Sequence, residues 1–253
     1  LVPDSAHGTN PASVALNGFD VKHVQSGENG FITAKAVEEL MDDSVAGLMM
    51  TNPNTVGLFE EECVDIANIV HKFGGYMYCD GANMNSLMGY ARPGDMGFDI
   101  IQLNLHKTFS APHGGGGPGS GPVGVIEDLA KFLPVPRVRE KDGVYSLDYA
   151  RGDSIGMVKA FLGNFAVMVK AYTYIKEMGG EGLKEATRLA VLNANYVLAK
   201  LKEHYHIPFN ETCMHECVLT DRGLENGNNV DVAKGLIEEG LDPTNIACPI
   251  PIH

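Results

Sequence analysis

The feature that most constrains the fold of this chain is a series of short apolar runs. Each run ends in polar residues, and amphipathic stretches separate the runs. The runs cover residues 45–50, 76–79, 99–103 and 124–126. Between the first two, residues 60–73 have apolar side chains at a spacing near 3.6, which predicts a helix. Thr33 is suited to be the N-cap of a shorter helix that reaches Met41. This repetition of strand, helix and strand predicts an α/β fold with a mostly parallel sheet between helices.

Polar segments follow three of these runs. They are residues 51–54, 80–83 and 104–107. Open parallel sheets carry their chemistry at the carboxyl ends of the strands. We therefore expect the functional residues of the chain to come from these three segments.

The pattern changes in the last third of the chain. Residues 164–177 and 182–204 predict two long helices joined at Gly179 and Gly180, and a strand pattern (213–219) and a helix pattern (230–239) follow. We predict an N-terminally incomplete large domain with a linker helix over residues 1–180. Residues 181–253 are predicted to be part of a smaller C-terminal α+β domain. The chain starts without Met, so we interpret it as a piece of a longer protein.

Charge and cysteine content exclude several classes of protein. The net charge is −13 and no basic cluster stands out, which argues against nucleic-acid binding. No run of 18 apolar residues is present, so no membrane span is expected. The five cysteines form no tight framework, which favours reduced thiols in the cytoplasm, or in the mitochondrial matrix if the source is eukaryotic. Cys213, His215 and Cys217 lack a fourth zinc ligand, so we predict no metal site and assign their spacing to one strand face.

Two residues at predicted strand ends could carry chemistry. Lys107 follows a buried run, where a desolvated amine of lowered pKa could form a Schiff base. On its position alone, it is more simply a lysine that reaches solvent. Asp80 follows another buried run and could pair with the pyridinium N–H of pyridoxal phosphate (PLP), or it could cap the following turn.

Other candidates are less specific on their own. His7 could stack on a flat cofactor ring or lie in an ordinary loop, and Ala82 could let a ring approach the sheet or only fill the core. The glycine-rich residues 114–121 lack the ending of a P-loop and precede a strand. We therefore interpret them as a special loop beside Lys107 and not as a phosphate site.

Taken in order, these segments resemble one family, the P-protein of the glycine cleavage system. The matching segments read SAHGTNPAS (5–13), TNPNT (51–55), DGANMN (80–85), NLHKTF (104–109) and the loop 114–121. The likeness extends over most of residues 1–220. It implies a fold-type-I, aminotransferase-like PLP enzyme that decarboxylates glycine and passes the aminomethyl group to the lipoyl group of H-protein. Such an enzyme is an oxidoreductase that acts on a CH–NH2 group with a disulfide acceptor.

The resemblance also implies roles for individual residues. Lys107 would hold PLP covalently, Asp80 would pair with the pyridine nitrogen, and His7 would stack on the ring. His106 is a candidate for proton handling or for contact with the phosphate. The remaining implied cofactor-binding residues are Ala82, Thr51, Asn54 and Thr108.

The family's phosphate-binding loop would lie upstream of residue 1, so we expect residues 1–253 alone to bind PLP weakly. The expected partners are glycine, lipoylated H-protein and the other P-protein subunit or half, in a dimer or heterotetramer. Two alternatives stay open. One is another fold-type-I enzyme, such as an amino-acid decarboxylase or a cysteine desulfurase. The other is a non-catalytic partner subunit of the same fold.

Overall fold

The structure is a computed structural model that describes residues 1–115, 117, 119–150, 152–209, 211–225 and 227–242. Its strands are β1 (Val2–Pro3), β2 (His23–Val24), β3 (Gly47–Thr51), β4 (Tyr76–Gly81), β5 (Ile100–Leu103), β6 (Val123–Val125), β7 (Arg137–Lys141) and β8 (Val144–Asp148). Its α-helices are α1 (Thr9–Leu16), α2 (Ala34–Glu38), α3 (Cys63–Lys72), α4 (Glu127–Ala130), α5 (Phe165–Leu201) and α6 (Asn229–Glu238). Two short 3-10 helices cover Met84–Ser86 and Pro93–Met96.

The main sheet has the strand order β3-β4-β5-β6, and the first three strands are parallel. This confirms the mostly parallel sheet that the sequence predicts. β6 pairs with β5 in the antiparallel direction. In the described part of the stretch between Leu103 and Val123 the chain forms no helix, and it returns as a loop instead of crossing over. Such a return favours antiparallel pairing, whereas a parallel neighbour needs a longer crossover.

The N-terminal residues lie beside the first strand of this sheet. β1 pairs with β2 in parallel, and the Met49 N–H donates to the Leu1 carbonyl at 3.0 Å. The terminal amino group donates to the Gly47 carbonyl at 2.6 Å. These two bonds have the pattern of a parallel ladder, so His7 follows a strand at the same sheet edge as the end of β3.

The core lies between α3 and the sheet. Ile66, Ala67 and Val70 on α3 are buried, as are Leu48 on β3 and Met77 on β4. The apolar spacing of residues 60–73 predicted this contact, but the helix begins only at Cys63. Its bounds differ because the Glu60 side chain turns inward and is buried, which takes the residues before Cys63 off the helical path.

The two long helices predicted for the last third of the chain are confirmed. They form the two parts of α5, which are joined by a kink at Gly179, whose φ is 59° and ψ is −176°. Asn164 caps its start by accepting the Val167 N–H at 3.3 Å. The predicted domain boundary, which falls inside α5, stays a prediction, and residues 243–253 of the second domain lie outside the described residues.

The predicted strand at 213–219 does not form, and the strand-face interpretation of its cysteines is therefore wrong. Two backbone groups of this segment bond to groups that belong to no strand. The Cys213 N–H donates to the Asn195 side chain at 3.2 Å, and the Met214 N–H donates to the Gly57 carbonyl at 2.7 Å. Within the described residues 213–225, the β-pairing is limited to one isolated antiparallel bridge, which Thr220 forms with His206. Among all the helices described, we find none that is long and apolar enough to cross a membrane.

Candidate active site

Three polar side chains form a row across the parallel strands near their carboxyl ends. Thr51 on β3 is in register with Asp80 on β4, and Asp80 is in register with Gln102 on β5. Because residues in register point to the same face of a sheet, the three side chains meet. The polar segments that the sequence placed at strand ends are thus brought to one edge.

The Asp80 carboxylate is buried and receives hydrogen bonds on both oxygens. Oδ1 accepts the Gln102 Nε2–H at 2.6 Å and the Ala82 N–H at 3.0 Å. Oδ2 lies 3.4 Å from the Thr51 hydroxyl. N–H donors bind a carboxylate in its ionised form. The site therefore holds one buried carboxylate beside a half-buried alanine, Ala82.

The turn after Asp80 is tied to the loop that follows β3. The Asn83 side-chain amide donates to the carbonyl oxygens of Pro53 at 2.9 Å and Asn54 at 3.2 Å. It also approaches Glu216 Oε1 at 3.3 Å. Two neighbouring carboxyl-end loops are thereby held together, and the segment at 213–217 contacts both.

Asn54 faces into the protein. Its Nδ2 donates to Glu60 Oε1 at 2.8 Å and to the Gly30 carbonyl at 3.1 Å. Its Oδ1 accepts the N–H groups of Val56 and Leu58. Its side chain thus shapes the loop. A direct cofactor contact by Asn54 stays a prediction from the resemblance.

Glu60 is an unexpected buried acid behind this loop. Only 1% of the residue is exposed, and Oε2 accepts the Ile32 N–H at 3.2 Å. Burial raises its pKa to about 7, with smaller contributions from the charges of Glu62 and Asp4, while the hydrogen bonds from Asn54 and Ile32 oppose the rise. The sequence analysis placed Glu60 in the first turn of a helix, where it would have been solvated.

Lys107 is exposed, which agrees with the interpretation of this residue as a lysine that reaches solvent. β5 ends at Leu103, and Lys107 lies in the turn that follows, where its N–H donates to the Asn104 carbonyl at 3.1 Å. Across the described residues, its amine forms no ion pair or hydrogen bond. The amine is therefore free to react.

The turn that carries Lys107 is anchored by its neighbours. Leu105 and Ala111 are buried against Val167 and Ala171 on α5. The Ala111 N–H donates to the Leu105 carbonyl at 3.1 Å, which closes the turn. An exposed lysine is thus presented by a backbone that is fixed on both sides.

Several buried polar atoms near these segments have no partner among the described residues. They are Thr108 Oγ1, His106 Nδ1 and Asn10 Nδ2. An unpaired buried polar atom is costly unless a ligand or another group completes it. Each of these residues belongs to a segment that carries the family resemblance.

The two histidines of the Lys107 region are neighbours. The ring centroids of His106 and His113 are 4.5 Å apart. The pKa of His106 is lowered, first by burial and then by the nearby positive charges of His113 and Lys107. A neutral imidazole here can accept a proton. His7, by contrast, is exposed, and its Nδ1 accepts the Thr9 N–H at 3.1 Å.

Gln102 is a site residue that sequence reasoning missed. Gln102 lies inside the run 99–103, and a polar residue in an otherwise apolar strand was the available signal. Asn10, for which no role was predicted, is also buried, with 2% of the residue exposed. For the part of the chain described, no cluster of three or more metal-ligating side chains is present.

Solved structures show the class of protein that this fold defines. A protein titled "NifS-like protein" superposes with a TM-score of 0.65 at 17% identity, covering 95% of this chain and 62% of that one. The sphingosine-1-phosphate lyase of Burkholderia pseudomallei superposes with a TM-score of 0.58 at 16% identity. The match covers 80% of this chain and 46% of the lyase chain. The chain has the fold of the fold-type-I PLP enzymes.

Sequence comparison then finds relatives of one kind. A relative from Caldanaerobacter subterraneus subsp. tengcongensis is 60% identical over 255 residues, and one from Desulforamulus reducens is 53% identical over 256. Both are named "Probable glycine dehydrogenase (decarboxylating) subunit 2", and each match covers 100% of this chain and 53% of the relative. The profile described as "Glycine dehydrogenase, C-terminal domain" matches residues 186–252.

The chain is thus homologous along its whole length to glycine dehydrogenase (decarboxylating) subunit 2, and the resemblance drawn from its motifs is confirmed. It spans about half the length of the curated relatives that it matches.

Proposed function

We propose that this chain is the part of a glycine decarboxylase that binds PLP and decarboxylates glycine. The enzyme would pass the aminomethyl group to the lipoyl disulfide of H-protein. The observation that carries the proposal is the buried Asp80 carboxylate, set between Thr51 and Gln102 at the carboxyl edge of a fold-type-I sheet. The names of the relatives support decarboxylation of glycine as the reaction. Their designation as subunit 2 supports a partner subunit for this chain.

The residues present fit PLP. Asp80 offers an ionised carboxylate for the pyridine N–H, Lys107 offers a free primary amine for the aldehyde carbon, and both are held by fixed backbone. The unpaired hydroxyl of Thr108 and amide of Asn10 are donors that suit phosphate or carboxylate oxygens. When bound, the cofactor supplies an electron sink for the carbanion that decarboxylation leaves.

Each protein group then has a defined task. The Asp80 carboxylate would hold a proton on the ring nitrogen, and the hydrogen bonds from Gln102 Nε2 and the Ala82 N–H orient that carboxylate. Lys107 Nζ would hold the cofactor through its aldehyde carbon. His106, whose pKa is lowered, can take up a proton beside Lys107. His7 would cover a ring face, and Ala82 leaves room for the ring.

Borohydride trapping tests the proposal. We expect the full chain, together with its partner subunit, to develop the absorbance of bound PLP and to be labelled at Lys107 after reduction. Lys107→Ala should abolish both the label and CO2 release from glycine. Lys159→Ala removes another exposed lysine and should leave both unchanged.

Three outcomes would contradict the proposal. Labelling that survives in Lys107→Ala and maps to another lysine would refute the assignment of Lys107. The absence of any PLP band would indicate a non-catalytic subunit of the same fold. CO2 release from a different amino acid, with none from glycine, would indicate another fold-type-I decarboxylase.

A further inference from the structure

The hairpin formed by β7 and β8 has no packed face. None of its ten strand residues is buried, although the two strands pair along their whole length. A two-stranded hairpin that stands alone is only marginally stable in water. The hairpin therefore needs a surface to pack against, which the described residues of this chain do not supply.

Strand register gives the hairpin one apolar face. Val138 is in register with Leu147, and Glu140 is in register with Tyr145, so these side chains point the same way. Val138, Leu147 and Tyr145 are exposed, and the exposed fraction of Tyr145 is 73%.

The opposite face of the hairpin is basic. It carries Arg137, Arg139 and Lys141 at alternate positions, with Asp148 in register with Arg137, whereas the chain as a whole has a net charge of −13. Such a hairpin fits a partner with acidic groups beside an apolar patch. Two copies paired symmetrically through their hairpins would bring like charges together, so a different protein fits this surface better than a second copy.

The apolar surface continues from the hairpin to the start of α5. The Val135 N–H donates to the Gly156 carbonyl at 3.1 Å, which places Gly156 beside the base of the hairpin. The chain then exposes large apolar side chains up to the second turn of α5. With the three on the hairpin they form a surface that we call the arm face, and they are Met157, Val158, Phe161, Leu162, Phe165 and Tyr172.

The arm face is large enough for a stable interface. Tyr145, Phe161, Phe165 and Tyr172 are each more than half exposed. Since a buried aromatic side chain contributes about 150–250 Å², the arm face offers roughly 800–1,000 Å² of apolar surface, as much as one side of a standard protein–protein interface.

The arm face also borders the turn that carries Lys107. Val167 on α5 belongs to the buried cluster that anchors Leu105 in this turn, while Phe165, two residues earlier, is 77% exposed. Lys107 itself is exposed. A protein seated on the arm face would therefore reach the candidate site.

We propose that the arm face is the docking surface for the partner subunit and that docking covers Lys107. The inference rests on the proposed function, because the partner is the other subunit that the relatives' designation as subunit 2 implies. Apolar side chains of the partner would pack on the arm face, and its acidic side chains would pair with the basic row of β7. The hairpin would thereby gain the packed face that it lacks.

Photo-crosslinking tests the docking surface. We expect Tyr145→p-benzoylphenylalanine in the full-length protein to link to the partner subunit on illumination. Tyr76→p-benzoylphenylalanine, at an exposed position at the start of β4, should not link to it. A link from position 145 to a second copy or within the same chain would overturn the proposal, as would the absence of a link in a complex that has formed.

An affinity measurement checks the same surface without a reactive group. Tyr145→Ser should raise the Kd for the partner subunit about tenfold in sedimentation of cofactor-free subunits, and Tyr76→Ser should leave it unchanged. Equal values in the two variants would contradict the proposal. Neither experiment uses PLP or glycine, so a failure of cofactor binding would refute the proposed function and leave these results readable.

Acetylation of the cofactor-free protein tests whether docking covers the lysine. The reaction of Lys107 should slow at least tenfold when the partner subunit is added, while that of Lys35, an exposed lysine on α2, should not change. An unchanged rate at Lys107 in the assembled complex would overturn this part of the proposal.

Discussion

The side-chain amide of Gln102 donates to the Asp80 carboxylate across 2.6 Å, between two strands that place the residues in register. Gln102 Nε2 also lies 3.2 Å from Asn104 Oδ1, which orients the amide from the next carboxyl-end segment. A neutral donor in this position orients the carboxylate without supplying a competing positive charge. Asp80 is thereby left available to pair with a cationic group on its open side.

Gln102→Glu should weaken PLP binding by roughly tenfold, equivalent to about 1.4 kcal/mol. The substitution places a second carboxylate against Asp80, and two adjacent carboxylates share a proton, which lowers the charge that faces the ring nitrogen. A PLP titration followed by absorbance measures the loss. Gln25→Glu makes the same chemical change at an exposed position and should bind as the unsubstituted chain does. Equal affinity in the two variants would remove Gln102 from the site.

Asp80→Asn should keep PLP bound but slow CO2 release from glycine by roughly 100-fold or more. An amide cannot stabilise a positive charge on the ring nitrogen, and the loss of one partner of a buried charge pair costs several kcal/mol. Release of labelled CO2 from carboxyl-labelled glycine measures the rate. Near-normal turnover with PLP bound would show that another group supports the nitrogen.

Glu60 should make stability fall as pH rises. Its pKa in the folded chain is raised from 4.5 to about 7, so between these values the folded state holds a proton that the unfolded chain has released. The free energy of unfolding should therefore decrease over this interval, by on the order of 3 kcal/mol, and level off above about pH 7.

Urea unfolding between pH 5 and 8 measures this contribution as a difference between variants. Glu60→Gln should lack the Glu60 part of the slope, although it also loses stability overall because one acceptor oxygen becomes a donor that faces another donor. Glu61→Gln, at an exposed neighbour, should retain the slope of the unsubstituted chain. Identical slopes in the two variants would contradict the raised pKa.

Gly57→Ala should destabilise the chain more than Gly74→Ala. Both glycines have a positive φ, 86° and 79°, so both substitutions carry the left-handed strain of about 1–2 kcal/mol. A Cβ at Gly57 would in addition lie 2.0 Å from the Glu216 carbonyl oxygen, whereas a Cβ at Gly74 meets nothing within 4 Å. The overpacking should add about 1–3 kcal/mol in urea unfolding. Equal losses would show that the 213–217 segment moves away without cost.

Local patterns in the sequence were sufficient for the sheet and for much of α3. Continuous apolar runs such as 45–50 are typical of strands buried on both faces, and the spacing from Ile66 to Val70 is helical over several turns. The Thr33 cap was also correct, since its side chain accepts the Ala36 N–H at 3.1 Å. These features depend on contacts between residues that are close in the chain.

Predictions failed where residues distant in the chain form hydrogen bonds with the backbone of the segment concerned. The pattern at 213–219 alternates like a strand, but Asn195 and Gly57 take backbone bonds that a sheet neighbour would need. Glu60 lies outside the helix because it forms hydrogen bonds with Ile32, Asn52 and Asn54. Ile32 lies 28 positions earlier in the chain, so this contact is not local. Alternation and helical spacing carry no information about such partners.

The sequence by itself determined the fold class, the order of the strands along the chain and the family to which the motifs point. It placed Asp80 and Lys107 in carboxyl-end segments, because strand ends and polar turns are encoded locally. Only the tertiary structure decided that Thr51, Asp80 and Gln102 share a row, that Lys107 is exposed, and that Glu60 is buried. Strand register and chain packing bring these residues together over separations that no local pattern records.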